Sequence, residues 1–542
     1  MYRATLATAL LAGSLFSTAA IADGLKLTPV TADNSKADGV AVANAISPEL
    51  TQAIVAEGKM TLENPTDLIG YYGYDNDGPL MAAAGDVQSK DHNVEATKTE
   101  PDKNTYLVLE GQKGPDAAYN YGKHFLFQGH ENGVTKDGKP QGYFTRINLD
   151  ADEAHRVTLM ATKDTSGNAL VFFDGSTWAP EAKRLLLTGE EGDEGGVWQA
   201  TADFPSTVDD LRGVMGIGSY EGVQADKDGN IWLVEDAGGK GGDKTKHAKQ
   251  PNSFVYRFVP ADKTDLTKGG KLEVLQIAGK DGAPVLFNKG KNDDDILSQG
   301  VADQYTYGNQ LKTKWVVVHD TASDGTAIFN ANDLAKAKGG TPLKRPENSQ
   351  FRPGTDFTEY YFTATGDTNA ETEAGAEHGG FGGIFKLKQA SASADEGTLS
   401  LVYRGDVGHS GFDNMAFLTA DQIIAVEDGG DKLHGQRKAF DAGYVIDLNT
   451  DYGAAGAAEP VRMISNGRDE LATADSALLA KADDNGFQND GDNEITGIHV
   501  SDGDASVAGL LGTKIPTPFK DGWRVFYTRQ HGKNETYEVM SK

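Results

Sequence analysis

The chain has 542 residues, no cysteine, 66 glycines and a formal charge of −29 at pH 7, from 80 acidic against 51 basic residues. Nucleic acids and anionic membranes reward basic surfaces, so neither is an expected partner. Thiolate chemistry and disulfides are excluded, and the length allows a large core made of many strands joined by glycine-rich turns.

The first 22 residues read as a Sec-type signal: Arg3, an apolar run from Ala4 to Phe16, then Ala20-Ile21-Ala22 before Asp23. Cleavage after Ala22 predicts a mature periplasmic or secreted protein of charge −30, the −29 of the whole chain less the +1 of Arg3. No later stretch reaches the ~18 apolar residues of a spanning helix. Residues 23–104 are polar and poor in aromatics, and predict an extended segment packed on the domain that follows. Pro48 to Gly58, Asn332 to Ala337 and Glu470 to Ala482 are the segments with a helical pattern.

Strand signals become regular over residues 105–542, starting with His124-Phe125-Leu126-Phe127 and the His130-Glu131 pair behind it. The most informative feature is a unit used twice. Glu221 precedes Glu235-Asp236 by 14 residues, and Asp413 precedes Glu427-Asp428 by the same number. Between the acids lie a short apolar strand, a turn and a second strand, Ile231 to Val234 or Ile423 to Val426, so each unit predicts a β-hairpin with carboxylates at its open end. Carboxylates gathered this way repel one another and stay ionised only when cations offset them. Hard cations such as Ca²⁺ take oxygen ligands.

Looser copies begin at Glu347 and Glu494. The leading acids at 221, 347, 413 and 494 are 126, 66 and 81 residues apart, which suggests multiples of a unit of about 65, longer than the ~40–50 residues of common propeller blades. Radial four-stranded blades would aim every leading acid at one axis, so the predicted fold is an all-β propeller of about six blades with inserted loops and a few short helices. Asp226-Lys227-Asp228-Gly229 is a turn, because no acid follows at calcium-loop spacing. Polar insertions at Lys240 to Gln250, Asp293 to Gly300, Asn369 to Gly380, Gly453 to Glu459 and Asp483 to Asn493 are expected to rim one face.

These residues resemble the PhoX-type alkaline phosphatases, a family of secreted propeller phosphatases. The resemblance is carried, in order, by His130-Glu131, Leu187-Thr188-Gly189-Glu190-Glu191, Tyr220-Glu221-Gly222, Arg345-Pro346-Glu347, Phe412-Asp413-Asn414-Met415-Ala416-Phe417, Glu494-Ile495-Thr496-Gly497 and Gln530-His531-Gly532. It implies a phosphomonoesterase with a metal cluster in the central channel, calcium and ferric iron joined through an oxo group. Carried over, Glu221, Glu347, Asp413 and Glu494 would be metal ligands, as would Glu190 or Glu191 and Asp428, and Arg345 would bind the phosphoryl oxygens. Two departures matter. The family's iron-bridging cysteine has no counterpart near Phe173 to Pro180, and the family's twin-arginine signal is replaced by one with Arg3 alone. Both favour calcium, several ions of it, over iron.

The expected partners are small phosphorylated organic molecules, with the protein a monomer. Two other readings keep the same carboxylates: a calcium propeller of the lactonase or esterase kind, and a non-catalytic binding propeller with structural calcium. No Gly-x-Ser-x-Gly elbow, His-Glu-x-x-His helix or phosphate-binding loop supports a serine hydrolase, zinc protease or ATPase.

Overall fold

Apolar runs such as Ile231-Trp232-Leu233-Val234 are continuous rather than alternating, which is what strands need when both faces are covered. A computed structural model of the chain describes residues 24–31, 43–73, 99–133, 141–189, 194–467, 494–530 and 534–542. In it these runs form six antiparallel blades arranged as a propeller, in five hydrogen-bonded sheets because one outer strand joins blades 3 and 4. Blade 1 comprises Thr99–Val108, His124–Gly133, Phe144–Asn148 and Val157–Ala161; blade 2, Ser176–Ala179, Arg184–Gly189, Gly196–Ala200 and Val208–Asp210; blade 3, Tyr220–Ala225, Ile231–Glu235, Val255–Pro260 and Gly270–Ile277. Blade 4 comprises Ser349–Phe351, Glu359–Ala364, Gly383–Gln389 and Glu396–Arg404; blade 5, Phe412–Phe417, Gln422–Glu427, Ala442–Asp447 and Val461–Ser465; blade 6, Glu494–Ser501, Arg524–Gln530 and Glu535–Ser541.

The first strand of each blade is the innermost. Each packs against the innermost strands of the blades before and after it, and blade 6 meets blade 1, so the ring is closed. Strand Leu50–Ala56 supplies the fourth strand of blade 6 by pairing with Glu535–Ser541, and Ala45–Ile46 adds a strand to blade 5. Chain beginning and chain end are thereby joined in one sheet.

Six apolar clusters fill the six gaps between blades. Along Ile231–Glu235, Ile231 and Leu233 face blade 2 while Trp232 and Val234 face blade 4. Tyr360 and Phe362 face blade 3 and Tyr361 faces blade 5; Ile423 and Ala425 face blade 4, Ile424 and Val426 blade 6. The two-residue period of a strand therefore serves two cores at once. Each fully buried large apolar side chain contributes about 1.5–3 kcal/mol.

Three expectations change. Pro48 to Gly58 is not helical: Leu50–Ala56 is extended, Leu50 and Ala56 are buried, and Ile54 is 44% exposed, so pairing with the last strand overrides the helical spacing. The 126 residues between Glu221 and Glu347 are one unit, not two. They contain blade 3 and then an insertion with helices Asn292–Ile296, Gln299–Gln304 and Thr321–Asp324 and a strand, Leu311–Asp320, that bridges the outer edges of blades 3 and 4. Asp293 to Gly300 is accordingly helical over much of its length. The helix expected over Asn332 to Ala337 is present as Ala331–Lys338, capped by Asn330 and ended by Gly339 in the left-handed region. Glu470 to Ala482 and Asp483 to Asn493 lie outside the described residues.

Candidate metal centre

Three of the acids, Asp102, Glu221 and Asp413, reach the axis at a repeated irregularity. In blades 1, 3, 5 and 6 the innermost strand gains one residue on its partner, over Asp102-Lys103, Glu221-Gly222, Asp413-Asn414 and Gly497-Ile498 respectively. An extra residue of this kind bends a strand and re-aims a side chain. Asp174 and Glu347 stand just ahead of the innermost strands of blades 2 and 4. One leading acid per blade thus comes from Asp102, Asp174, Glu221, Glu347, Asp413 and Glu494.

Five of these acids, with Glu131, form two groups. Glu221, Glu347 and Asp413, all buried, offer carboxylate oxygens within 4.8 Å of one another, and so do Asp102, Glu131 and Glu494. Thr496 Oγ1 and Gln530 Nε2 (2.9 Å) donate to Asp102, and Gln530 Nε2 also donates to Glu131 (2.8 Å). Asn414 Nδ2 donates to Asp413 Oδ1 at 2.5 Å. Asp413 Oδ2 and Glu347 Oε2 are buried without a hydrogen bond, and Glu347 Oε1 meets the Arg345 guanidinium as an ion pair.

The electrostatics link the groups. Burial, and then the Asp428 charge, push Asp413 up to about 7. Burial followed by Asp413 and Glu131 pushes Asp102 well above the usual range; burial followed by Asp428, Glu131, Asp413 and Asp102 does the same to Glu494. Glu347 is raised by burial against the pull of Arg345, with Asp236, Asp413 and Asp428 adding to the rise. So many carboxylates resist ionising together, which is the condition under which bound cations stabilise a fold. The donors are all oxygen and hard in character, and they suit calcium-like ions rather than thiophilic metals.

Arg345 sits at the edge of the first group in the left-handed region, φ 55°, a conformation costing a non-glycine residue about 1–3 kcal/mol. Its Nε and NH2 donate to Asp236 at 2.7–2.9 Å, and NH2 lies 2.9 Å from Glu347 Oε1 as an ion pair. Burial opposes its charge, but Asp236 and Glu347 outweigh burial and keep the guanidinium firmly protonated. Burial and then Arg345 itself lower the Lys249 ammonium, which places a second cation beside it.

Of the residues singled out in the sequence, Glu221, Glu347 and Asp413 come together, Glu494 joins Asp102 and Glu131, and Asp428 is close enough to shift three of them. Glu190 and Glu191 lie outside the described residues, as does His531. The Glu-Asp pairs divide. Asp236 and Asp428 face the channel acids, whereas Glu235 and Glu427 turn into the protein: Glu235 accepts from Phe254 N–H, Tyr256 Oη and Asn332 Nδ2, and Glu427 pairs with Arg437. His130 is a core residue, bonded to Thr145 and stacked on Tyr143. Asp226 caps its own turn, accepting from Asp228, Asn230 and Trp232. Asp102, Asp174, Glu131 and the buried Lys103 were not among the predicted site residues, although His130-Glu131 and Phe173-Asp174 stood within noted motifs.

A family model described as alkaline phosphatase PhoX matches residues 240–509. Among solved structures the chain is similar to Pseudomonas fluorescens PhoX in complex with vanadate, a transition state analogue, with a TM-score of 0.51 and 11% identity over 94% of this chain and 98% of that one. A much weaker likeness, TM-score 0.27 and 11% identity over 96% and 100%, is to a Trichoderma reesei carbohydrate-active enzyme of family AA12. No curated protein sequence matches.

Proposed function

Because residues 240–509 of the chain belong to the alkaline phosphatase PhoX family, we propose that this phosphatase is exported, loses its signal after Ala22, and hydrolyses small phosphomonoesters at a calcium centre in the propeller channel. Glu221, Glu347 and Asp413 would hold one cation, Asp102, Glu131 and Glu494 another, with Asp428 between the groups. Bound cations there would offset charge on the phosphoryl oxygens and activate the attacking water.

The chain's own residues then have defined tasks. Asp236 fixes the Arg345 fork by two of its nitrogens, which orients the remaining NH1 without letting the side chain swing. Arg345 and Lys249 gather the phosphoryl oxygens, and a guanidinium already in place stabilises the charge that grows there without further reorganisation. The observation that carries this reading is the Glu221, Glu347 and Asp413 group with a strained, carboxylate-locked arginine at its edge, and a second carboxylate group in the same channel. No cysteine exists to bridge irons, so calcium alone should suffice.

The test is phosphate release from an aryl phosphate at pH 8 to 10 by mature protein, stripped with chelator and then given calcium with or without ferric iron. Calcium alone should restore turnover, and Arg345→Ala should abolish it. Turnover of a lactone or carboxylic ester with none of the phosphate ester would move the assignment to the esterase class of propeller.

A further inference from the structure

The channel also holds a cation of its own. Lys103 is 4% exposed, lies in the same strand irregularity as Asp102, and donates from Nζ to Asn348 Oδ1. In the closed ring of six blades, blade 4 stands opposite blade 1, so this side chain spans the channel. From Asn348 the bonds continue around it: Asn348 Nδ2 donates to Asn414 Oδ1 (3.2 Å), Asn414 Nδ2 to Thr496 Oγ1 (3.1 Å), and the Thr496 hydroxyl to Asp102. The belt returns to the residue next to Lys103. Each of its members adjoins or binds a channel acid: Asn348 follows Glu347, Asn414 follows and bonds Asp413, and Thr496 bonds Asp102. Further along the same innermost strands is a separate cavity of about 80 Å³, walled by Gln224, Gln350, His499 and Trp523. Lys103 therefore stands between that cavity and the acids.

A buried ammonium needs compensating charge. Lys103 adjoins Asp102, and its bond to Asn348 ties it through Asn414 and Thr496 to Asp413 and Asp102, acids of both carboxylate groups.

We propose that Lys103 is a resident cation of the metal centre, its ammonium standing beneath the two carboxylate groups in place of a metal ion and closing the channel between them and the cavity. This rests on the metal reading above. It means that the centre needs fewer metal ions than its acids would otherwise demand, and that the apo fold keeps one fixed positive charge on its axis.

Calcium binding to chelated mature protein at pH 7, by titration calorimetry and by elemental analysis after dialysis, tests it in wild type, Lys103→Met and Lys103→Arg. The methionine variant should bind one more calcium, or the same number about tenfold or more tightly, because a repelling charge is gone. The arginine variant should behave as wild type. A methionine variant with unchanged or weaker calcium binding overturns the proposal. If wild type binds no calcium, the metal reading itself has failed and this one with it. Should Lys103→Met not fold in chelator, folding rescued by millimolar calcium supports the exchange of ammonium for metal, and no rescue in either Lys103→Met or Lys103→Gln overturns it.

Discussion

Glu235 shows how burial rather than function shapes an acid in this fold. It is fully buried, and desolvation lifts it to about 7 against hydrogen bonds from Asn332, Tyr256 and Phe254. Its folded value lies above its unfolded one, so folding favours the neutral form. That stability is fully present below about pH 4.5 and is lost as pH rises through about 7, up to about 3 kcal/mol in all. Melting curves of calcium-saturated protein from pH 4 to 8 should therefore show a decline that Glu235→Gln flattens; a parallel decline in the variant would assign the effect elsewhere. Arg345, in the left-handed region and paired with Asp236 and Glu347, is the residue proposed to contact the phosphoryl group. Arg345→Lys keeps the charge but loses the fork held by Asp236, and kcat/KM for an aryl phosphate should fall about 100-fold with calcium binding little changed. A loss of less than about threefold would leave Arg345 without a substrate contact.

At the scale of the strand, the feature that matters is the extra residue that turns an acid towards the axis. In blade 6 the extra residue falls three positions after Glu494, at Gly497, whose φ is +61°; an added Cβ there would sit 2.7 Å from Asn104 Nδ2 and from the carbonyl of Asp102. Gly497→Ala should cost about 1–3 kcal/mol of stability and weaken calcium binding at the Asp102, Glu131 and Glu494 group, read by melting and by titration of the same sample. The hairpin units were legible in the sequence because spacing within a hairpin is local: 14 residues separate Glu221 from Glu235 and Asp413 from Glu427. The fate of the paired acids was not, since strand alternation decides that Glu235 enters the core while its neighbour Asp236 meets Arg345. Asp102 was hidden for a related reason. Pro101 interrupts the strand pattern, and the irregularity that aims Asp102 inward depends on pairing with a strand more than twenty residues away. Leu50–Ala56 read as a helix because its partner strand lies at the other end of the chain.

The whole molecule is a ring in which six apolar gaps hold the blades and an acidic axis pushes them apart. Cations on the axis remove that repulsion, so chelation should lower the melting temperature, and calcium at 100 times its Kd should return about 2.7 kcal/mol for each site filled. An unchanged melting temperature after complete chelation would place the acids outside any metal role. The most direct measurement of the central claim is a crystal structure of the mature protein grown with calcium and inorganic phosphate. Calcium ions are expected among Glu221, Glu347 and Asp413 and among Asp102, Glu131 and Glu494, with phosphate against Arg345 and the Lys103 ammonium beneath the two metal groups. Calcium found only in surface loops, or phosphate bound away from Arg345, would contradict it.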